Sequence, residues 1–225
     1  IDSMFTDDID RAEKFSVSWK DFYFDFSKNK INSETITLFN DLLIEIDFKS
    51  SVEKYFSGEK INSTESRAVL HTALRASENQ KILVNKKDII PEIKSVKEKM
   101  KLFTTSVLNG NYKGFKGDKI TDVVNIGIGG SDLGPSMVVE SLSHYKTDLN
   151  TYFISNVDGD HLNEVLSKVN PETTIFIIVS KTFTTIETLT NANSVRSWFL
   201  KSATENDISK HFIAVSSKVE KAIEY

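Results

Sequence analysis

The chain contains 225 residues, of which 28 are Lys or Arg and 32 are Asp or Glu, so its formal net charge is −4. Fifteen Phe and a 39% share of hydrophobic residues can form a real core of one large domain or two small ones. The absence of Cys excludes disulfides, thiolate metal sites and a cysteine nucleophile. The mildly acidic charge argues against a nucleic-acid partner. The longest apolar run, residues 175–179, is too short to cross a membrane. With no secretory signal pattern at its start, we expect a cytoplasmic enzyme or binding protein.

Residues 1–112 show mainly helical patterns. Apolar side chains recur there at intervals of three and four, which is typical of amphipathic helices. Asp88 can cap the last helix of the region, and Pro91 then falls in its first turn, where proline is tolerated. The expected elements are a strand over residues 22–26 and helices over residues 33–46, 63–76 and 90–108.

Residues 113–225 show a different pattern, in which short apolar runs alternate with helical stretches. The expected strands cover residues 123–126, 151–155, 174–179 and 212–216, and the expected helices cover residues 135–142, 161–169 and 185–203. This order predicts an α/β fold, with a Rossmann-like parallel sheet flanked by helices. Ligands of such sheets bind beyond the carboxyl ends of the strands.

The segment after the first of these strands is rich in glycine. Gly127, Gly129 and Gly130 permit positive φ angles and a close approach of the backbone to a ligand. Ser131 and Asp132 can cap the helix that follows. Free N–H groups and the positive end of the helix dipole would then form an anion-binding site.

Two other interpretations of the glycine-rich segment remain open. It can be a tight strand-to-helix turn that binds no ligand. It can also bind a dinucleotide, with Asp158 near the position of a ribose-binding acid. The second interpretation is weakened by Asp132, which stands where the G-x-G-x-x-G pattern has its third glycine and would repel a pyrophosphate.

Residues 180–185, with the sequence SKTFTT, follow the third strand of the expected sheet and contain four hydroxyl groups and one lysine. Hydroxyl and N–H donors at a helix start suit a phosphomonoester. Helix capping and strand propensity would account for one or two of the threonines but not for all of them. The chain has no G-x-x-x-x-G-K-[ST] motif and no evident carboxylate set for Mg²⁺. We therefore expect no nucleotide triphosphate, and the phosphomonoester interpretation involves no cofactor and no metal ion.

These two loops together resemble the phosphoglucose isomerase family. The resemblance rests on VVNIGIGGSDLGP at residues 123–135 and on FIIVSKTFTT at residues 176–185. Further similar stretches are ESRAVLHTALR at residues 65–75, ISNVDG at residues 154–159 and Trp198-Phe199. One departure is Ile186, where many relatives carry Gln, so the fine positioning of the adjacent loop can differ.

The resemblance implies a fold with two sugar-isomerase subdomains. Residues 1–112 would then be the N-terminal region and residues 113–225 the first subdomain, with the second subdomain and a C-terminal segment outside these residues. The ends of the chain, Ile1 and Tyr225, are expected to be the ends of a piece. The family also implies a homodimer for the full-length protein, and a sugar phosphate as the small-molecule partner.

The resemblance also implies the substrate-binding residues. Ser180, Thr182, Thr185 and the backbone of Lys181 would hold the phosphate group of the substrate. The Gly130 backbone and Ser131 would contribute nearby, and Phe183 and Thr184 would complete the loop.

The family reaction interconverts glucose 6-phosphate and fructose 6-phosphate through an enediol(ate), as an aldose–ketose isomerisation of glycolysis and gluconeogenesis. Its base and its ring-opening group, a Glu and a His, are expected outside this chain, so no catalytic residue is assigned and the chain alone is expected to be inactive. His71 is expected to pack against a neighbour, and the other three histidines to be solvated. The alternative functions are a non-catalytic sugar-phosphate sensor and a nicotinamide-dependent dehydrogenase.

Overall fold

The computed structural model describes residues 1–77 and 79–225, which divide into two compact units, Ile1–Ser95 and Val96–Tyr225. The division falls within a long helix, and the domain boundary at residue 112 stays a prediction. Unit 1 contains, in chain order, α1 (Asp2–Asp7), α2 (Arg11–Lys14), β1 (Ser16–Trp19), β2 (Phe22–Asp25), α3 (Ser33–Glu45), α4 (Phe48–Ser57), a 3-10 helix (Ala73–Arg75), β3 (Leu83–Val84), β4 (Lys87–Asp88) and the start of α5 (Ile90–Leu108).

A buried arginine organises the beginning of unit 1. Arg11 is 2% exposed, and its guanidinium lies 4.5 Å from the centroid of the Phe15 ring. Its Nε donates to the carbonyl oxygen of Ser27 at 2.8 Å, and its Nη2 donates to those of Asn29 and Ile31, both at 2.8 Å. A buried charge is costly unless it is hydrogen-bonded, so these contacts fix the segment after β2 against α2.

The helix predicted over residues 63–76 is wrong, apart from the single 3-10 turn. The side chain of Asn62 accepts a hydrogen bond from the backbone three residues further on, and Asn62 forms a β-bridge with Arg67. Ser66 adopts the left-handed conformation, with φ of 51°, which interrupts a helix. Asparagine side chains compete with helical hydrogen bonds in this way, and here the competition outweighs the helix propensity of the alanines.

The predicted helix over residues 90–108 is confirmed as α5, with Pro91 in its first turn. Asp88 Oδ1 accepts a hydrogen bond from the Ile90 N–H at 3.1 Å, as expected of a residue that caps the helix start. Unit 1 has its own small core, in which Ile90 packs with Ala73 and Ile82.

Unit 2 is an α/β fold with a parallel sheet flanked by helices, as predicted. After the end of α5 it contains β5 (Asp122–Ile126), α6 (Gly130–Ser141), a 3-10 helix (Ser143–Tyr145), β6 (Asn150–Ile154), α7 (Gly159–Lys168), β7 (Thr174–Val179), α8 (Ile186–Phe199), a 3-10 helix (Glu205–Asp207), α9 (Ile208–His211), β8 (Phe212–Val215) and α10 (Val219–Glu224). The strand order is β6-β5-β7-β8, and all neighbours are parallel.

The two faces of this sheet are covered by different helices. Val124 and Phe176 point to the face on which α7 and α8 pack, with Val165 and Val195 among the buried contacts. Ile175 points to the other face, where the C-terminal half of α5 packs. Right-handed crossovers place α6 on the α5 face. None of the helices in the described ranges combines the length and the hydrophobicity that a bilayer crossing requires.

The expectation that His211 is solvated is wrong, because this side chain is fully buried. Its Nε2 accepts a hydrogen bond from the Phe115 N–H at 2.9 Å, so its Nδ1 carries the proton and donates to the Thr174 carbonyl at 2.6 Å. Burial lowers the pKa of His211 below its ordinary value, because the charged form would lose hydration. His211 therefore has a structural role at the amino ends of β7 and β8.

Candidate functional site

The strand order of unit 2 brings the two predicted loops together. β5 continues to β6 on one side, whereas β7 lies on its other side, so the loops after β5 and β7 leave the sheet at a topological switch point. Ile126 pairs with Ile178 near the ends of these neighbouring strands. Because neighbouring strands lie about 5 Å apart, the loops begin side by side.

Gly127, at the start of the glycine-rich loop, is held closely by its surroundings. Its N–H donates to the Ile154 carbonyl at 3.1 Å and so extends the pairing with β6 by one residue. A Cβ atom at this position would lie 2.8 Å from the Ser131 Cβ and 2.9 Å from the Ser131 carbonyl oxygen. Only glycine allows the first turn of α6 to approach the end of β5 this closely.

The helix after this loop starts five residues earlier than predicted. Gly129, with φ of 61°, is the N-cap, and α6 begins at Gly130. The expectation that Ser131 or Asp132 caps the helix is wrong, because both lie in its first turn. Their N–H groups donate to the carbonyl oxygens of Ile128 and Gly129, at 3.3 and 3.0 Å. The Gly130 N–H and the Ser131 hydroxyl have no partner among residues 1–77 and 79–225, so they can donate to a ligand.

Asn125 supports this helix start, a role that was not predicted from the sequence. Pro135 lies inside α6 and has no N–H to donate to the Ser131 carbonyl, four residues before it. The Asn125 side-chain amide donates to that carbonyl instead, at 3.0 Å. Asn125 is buried at the end of β5, so its polar side chain in an apolar strand was the signal available in the sequence.

The hydroxyl groups of the loop after β7 bond to one another. Ser180 Oγ and Thr185 Oγ1 are 3.1 Å apart, and Thr182 Oγ1 and Thr184 Oγ1 are 2.7 Å apart. Thr185 is the N-cap of α8, yet its side chain accepts no hydrogen bond from the helix. The three N–H groups that begin α8, in residues 186–188, therefore stay open within the part of the chain that the structure describes.

Phe183 is the apolar anchor of this loop. It is 4% exposed and adopts the left-handed conformation, with φ of 52°. Its ring meets the Tyr225 ring edge-on, with centroids 5.6 Å apart. Burial raises the pKa of Tyr225 to about 12. Burying the aromatic ring compensates for the unfavourable backbone and leaves Thr182 and Thr184 exposed on either side of it.

Thr188 is a second residue of the site that was not predicted from the sequence. It is 1% exposed, and its buried hydroxyl oxygen has no hydrogen-bond partner in the described ranges. It lies three residues after Thr185, so the two residues occupy the same side of the helix start. Buried hydroxyl groups in native proteins are normally hydrogen-bonded, which makes an unpaired one in this first turn notable.

The chemistry of these loops is that of hydrogen-bond donation to an anion. Hydroxyl groups, open N–H groups and the positive end of the α8 dipole converge on the carboxyl edge of the sheet. The titratable side chains of the two loops and first turns are Lys181, Asp132 and Glu187. Glu187 is exposed in the first turn of α8, a common position for a helix-stabilising acid.

A concave region of about 330 Å³ lies between α7 and α8. Asp158, Ser194, Trp198 and Lys201 contribute to its lining, but no residue of the two loops does. Asp158 instead caps α7, where its Oδ1 accepts hydrogen bonds from two N–H groups at 2.9 Å. This groove is a separate feature of the surface.

The comparison with known families decides to which family the chain belongs. The model of the family described as phosphoglucose isomerase matches residues 25–225. The chain belongs to the phosphoglucose isomerase family. A curated glucose-6-phosphate isomerase of Christiangramia forsetii is 53% identical over 222 residues, which are 99% of this chain and 41% of the relative.

A solved structure of a glucose-6-phosphate isomerase has the same fold as this chain. The crystal structure of a glucose-6-phosphate isomerase from Chlamydia trachomatis superposes with a TM-score of 0.74 at 27% identity, over 93% of this chain and 40% of that one. The chain thus spans less than half the length of either relative. The roles predicted for Gly130, Ser131 and residues 180–185 stay predictions.

Proposed function

We propose that the chain is the substrate-anchoring part of a glucose-6-phosphate isomerase, which interconverts glucose 6-phosphate and fructose 6-phosphate in glycolysis and gluconeogenesis. The observation that carries the proposal is the loop over residues 180–185. It places four hydroxyl groups before a helix whose first N–H groups have no acceptor within residues 1–77 and 79–225. The 53% identity to a glucose-6-phosphate isomerase supports the choice of substrate.

In this proposal the phosphate group of the substrate sits at the N-terminus of α8. Ser180, Thr182 and Thr185 donate hydroxyl hydrogen bonds, and the Lys181–Thr182 backbone contributes N–H groups. Gly130 and Ser131 donate from the neighbouring loop, and Phe183 and Thr184 shape the loop around the anion. The helix dipole adds a favourable field for a dianion.

The phosphate does not react, but holding it affects the reaction. Binding energy from a non-reacting group can position the sugar carbons and lower the barrier for proton transfer between them. We assign no catalytic residue to this chain. The proposed base and ring-opening acid lie in the part of the longer relatives that these 225 residues do not match, so the chain alone is inactive in this proposal.

The proposal includes a subdomain organisation, an assembly and a location. Unit 2 would form a sugar-isomerase subdomain that works with a second one, in a homodimer of the full-length enzyme. The enzyme would act in the cytoplasm, where anionic sugar phosphates are retained, without nucleic acid, membrane, metal or cofactor. The dimer prediction is tested by the mass of the full-length protein in solution.

An activity assay tests the proposed function. The full-length protein that carries this chain should convert fructose 6-phosphate to glucose 6-phosphate, and Thr185→Ala should raise the KM at least about tenfold through one lost hydrogen bond to a charged group. Binding of glucose 6-phosphate without any isomerisation would instead favour the sensor. Fluorescence enhancement of NADH on mixing would favour the dehydrogenase.

A further inference from the structure

The carbonyl oxygen of Lys181 receives three hydrogen bonds from the loop that follows β8. The Ser217 hydroxyl donates at 2.6 Å, the Ser217 N–H at 3.0 Å and the Ser216 hydroxyl at 3.1 Å. A carbonyl oxygen has two lone pairs, so three donors saturate it. This concentration of donors on one acceptor lies in the middle of the proposed phosphate loop.

The donors themselves are held in place. The Ser216 hydroxyl accepts a hydrogen bond from the Lys218 N–H at 3.0 Å, which directs its own proton towards Lys181. One residue earlier, the Ser180 N–H donates to the Val215 carbonyl at 3.1 Å and extends the β7–β8 pairing beyond the last strand residue. The loops after β7 and β8 therefore leave the sheet side by side.

Through the geometry of the peptide bond, the hydrogen bonds to the Lys181 carbonyl also affect the Thr182 N–H on the other side of the loop. In a planar trans peptide, the N–H of Thr182 points opposite to the carbonyl of Lys181. Donors on the carbonyl thus fix the direction of that N–H, and they also strengthen it as a donor by polarising the amide. Over residues 1–77 and 79–225, no group accepts a hydrogen bond from the Thr182 N–H.

We propose that Ser216 and Ser217 are positioning residues for the phosphate site. They orient and polarise the Lys181–Thr182 peptide so that its N–H donates to the phosphate oxygen. Neither serine touches the ligand itself. This inference rests on the proposed function, since it assumes that the anion binds at residues 180–185.

The test measures the dissociation constant of inorganic phosphate, by calorimetry with the full-length protein that carries this chain. Replacing both hydroxyl donors, in Ser216→Ala/Ser217→Ala, should weaken phosphate binding about fivefold to tenfold, and each single replacement about twofold to threefold. Ser217→Thr keeps a hydroxyl and should restore most of the affinity. Ser167→Ala is the matched control, because it removes an exposed serine hydroxyl that donates to a backbone carbonyl in α7, and it should change nothing.

The outcomes separate this inference from the proposed function. If the serine variants lower the melting temperature equally with and without phosphate and keep the parent affinity, the serines only brace the loop and the inference is wrong. If the parent binds phosphate and Thr182→Ala weakens it but the serine variants do not, the function stands and the inference fails. If the parent binds no phosphate, both fail.

Discussion

The loops after β5 and β7, at the switch point of the sheet, stabilise their backbone conformations in different ways. The loop after β5 uses glycine: Gly127 admits a close contact and Gly129 starts the helix with a positive φ, while the N–H groups of Ser131 and Asp132 bond within the turn. The loop after β7 uses side chains: Phe183 anchors it and its hydroxyl groups pair with one another. The first loop thus uses most of its donors internally, whereas the second leaves donors open for a ligand.

This difference separates structural from binding roles. Substitutions of Gly127 and of Asn125, which precedes the first loop, should act mainly on the free energy of unfolding, because these two residues hold α6 against β5. Substitutions in the second loop should act mainly on ligand affinity, because its exposed donors support little of the fold.

The largest effect is expected for Gly127→Ala. The new Cβ would lie within 3 Å of Ser131, so the start of α6 must shift, at a cost of about 2–3 kcal/mol in the free energy of unfolding. Chemical denaturation measures this cost. Gly134→Ala is the control, because nothing lies within 4 Å of its Cβ and it should stabilise α6 by up to about 1 kcal/mol. Equal effects at both positions would contradict the tight contact.

Asn125→Ala should destabilise the protein by about 1–2 kcal/mol, because the Ser131 carbonyl loses the donor that replaces the missing N–H of Pro135. Pro135→Ala restores a backbone N–H at that position. In the double variant, the second substitution should recover part of the loss. Chemical denaturation of the parent, the two single variants and the double variant measures the coupling between the two positions. If the changes in the free energy of unfolding of the single variants simply added in the double variant, the account would be contradicted.

Thr182→Ala should weaken binding of glucose 6-phosphate about fivefold to tenfold, which corresponds to about 1–1.4 kcal/mol, and should change the stability little. Its hydroxyl is exposed and bonds only with Thr184 in the described ranges, so the fold depends little on it. Calorimetric titration measures the affinity. Thr190→Ala, in the groove between α7 and α8, is the control, and a larger loss of affinity there would place the ligand in that groove.

The smallest effect is expected from pH, at the opposite edge of the sheet. Because burial lowers the pKa of His211, the unfolded chain binds more protons than the folded one between the two pKa values. Stability is therefore complete above the unfolded pKa of about 6.5 and is lost as the pH falls towards the folded pKa. Urea denaturation at about pH 7.5 and about pH 5.5 should show a larger loss for the parent than for His211→Gln. Equal losses would remove His211 as the cause.

The sheet could be predicted from the sequence because its strands are short apolar segments, of which the central β5 and β7 are largely buried. The strand predicted over residues 174–179 is β7 itself, and the other strands of unit 2 lie within a residue of their predicted ends. The start of α6 was predicted less well. Proline is typical of the first helical turn, and Pro135 lies further inside α6 only because Asn125, on β5, donates to the carbonyl that its missing N–H leaves open. The helix predicted over residues 63–76 was wrong for a similar reason, because the polar side chain of Asn62 bonds to the backbone and Asn62 forms a bridge with Arg67.

The residue composition of the candidate site could be predicted from the sequence, but the contacts that hold its loops in place could not. The hydroxyl-rich and glycine-rich segments are local motifs, and local motifs are visible in a sequence. The contacts of Ser216 and Ser217 with Lys181 join segments about 35 residues apart, which depends on the strand order. Thr188 was missed because a buried threonine in a helix has no distinctive sequence pattern.

The central claim is that the loop after β7 holds the phosphate group of a sugar phosphate. A crystal structure of the full-length protein with glucose 6-phosphate tests it most directly. The account predicts phosphate oxygens within hydrogen-bond distance of the Ser180, Thr182 and Thr185 hydroxyls and of the Thr182 N–H. A phosphate bound elsewhere, such as the groove between α7 and α8, with this loop empty, would contradict it.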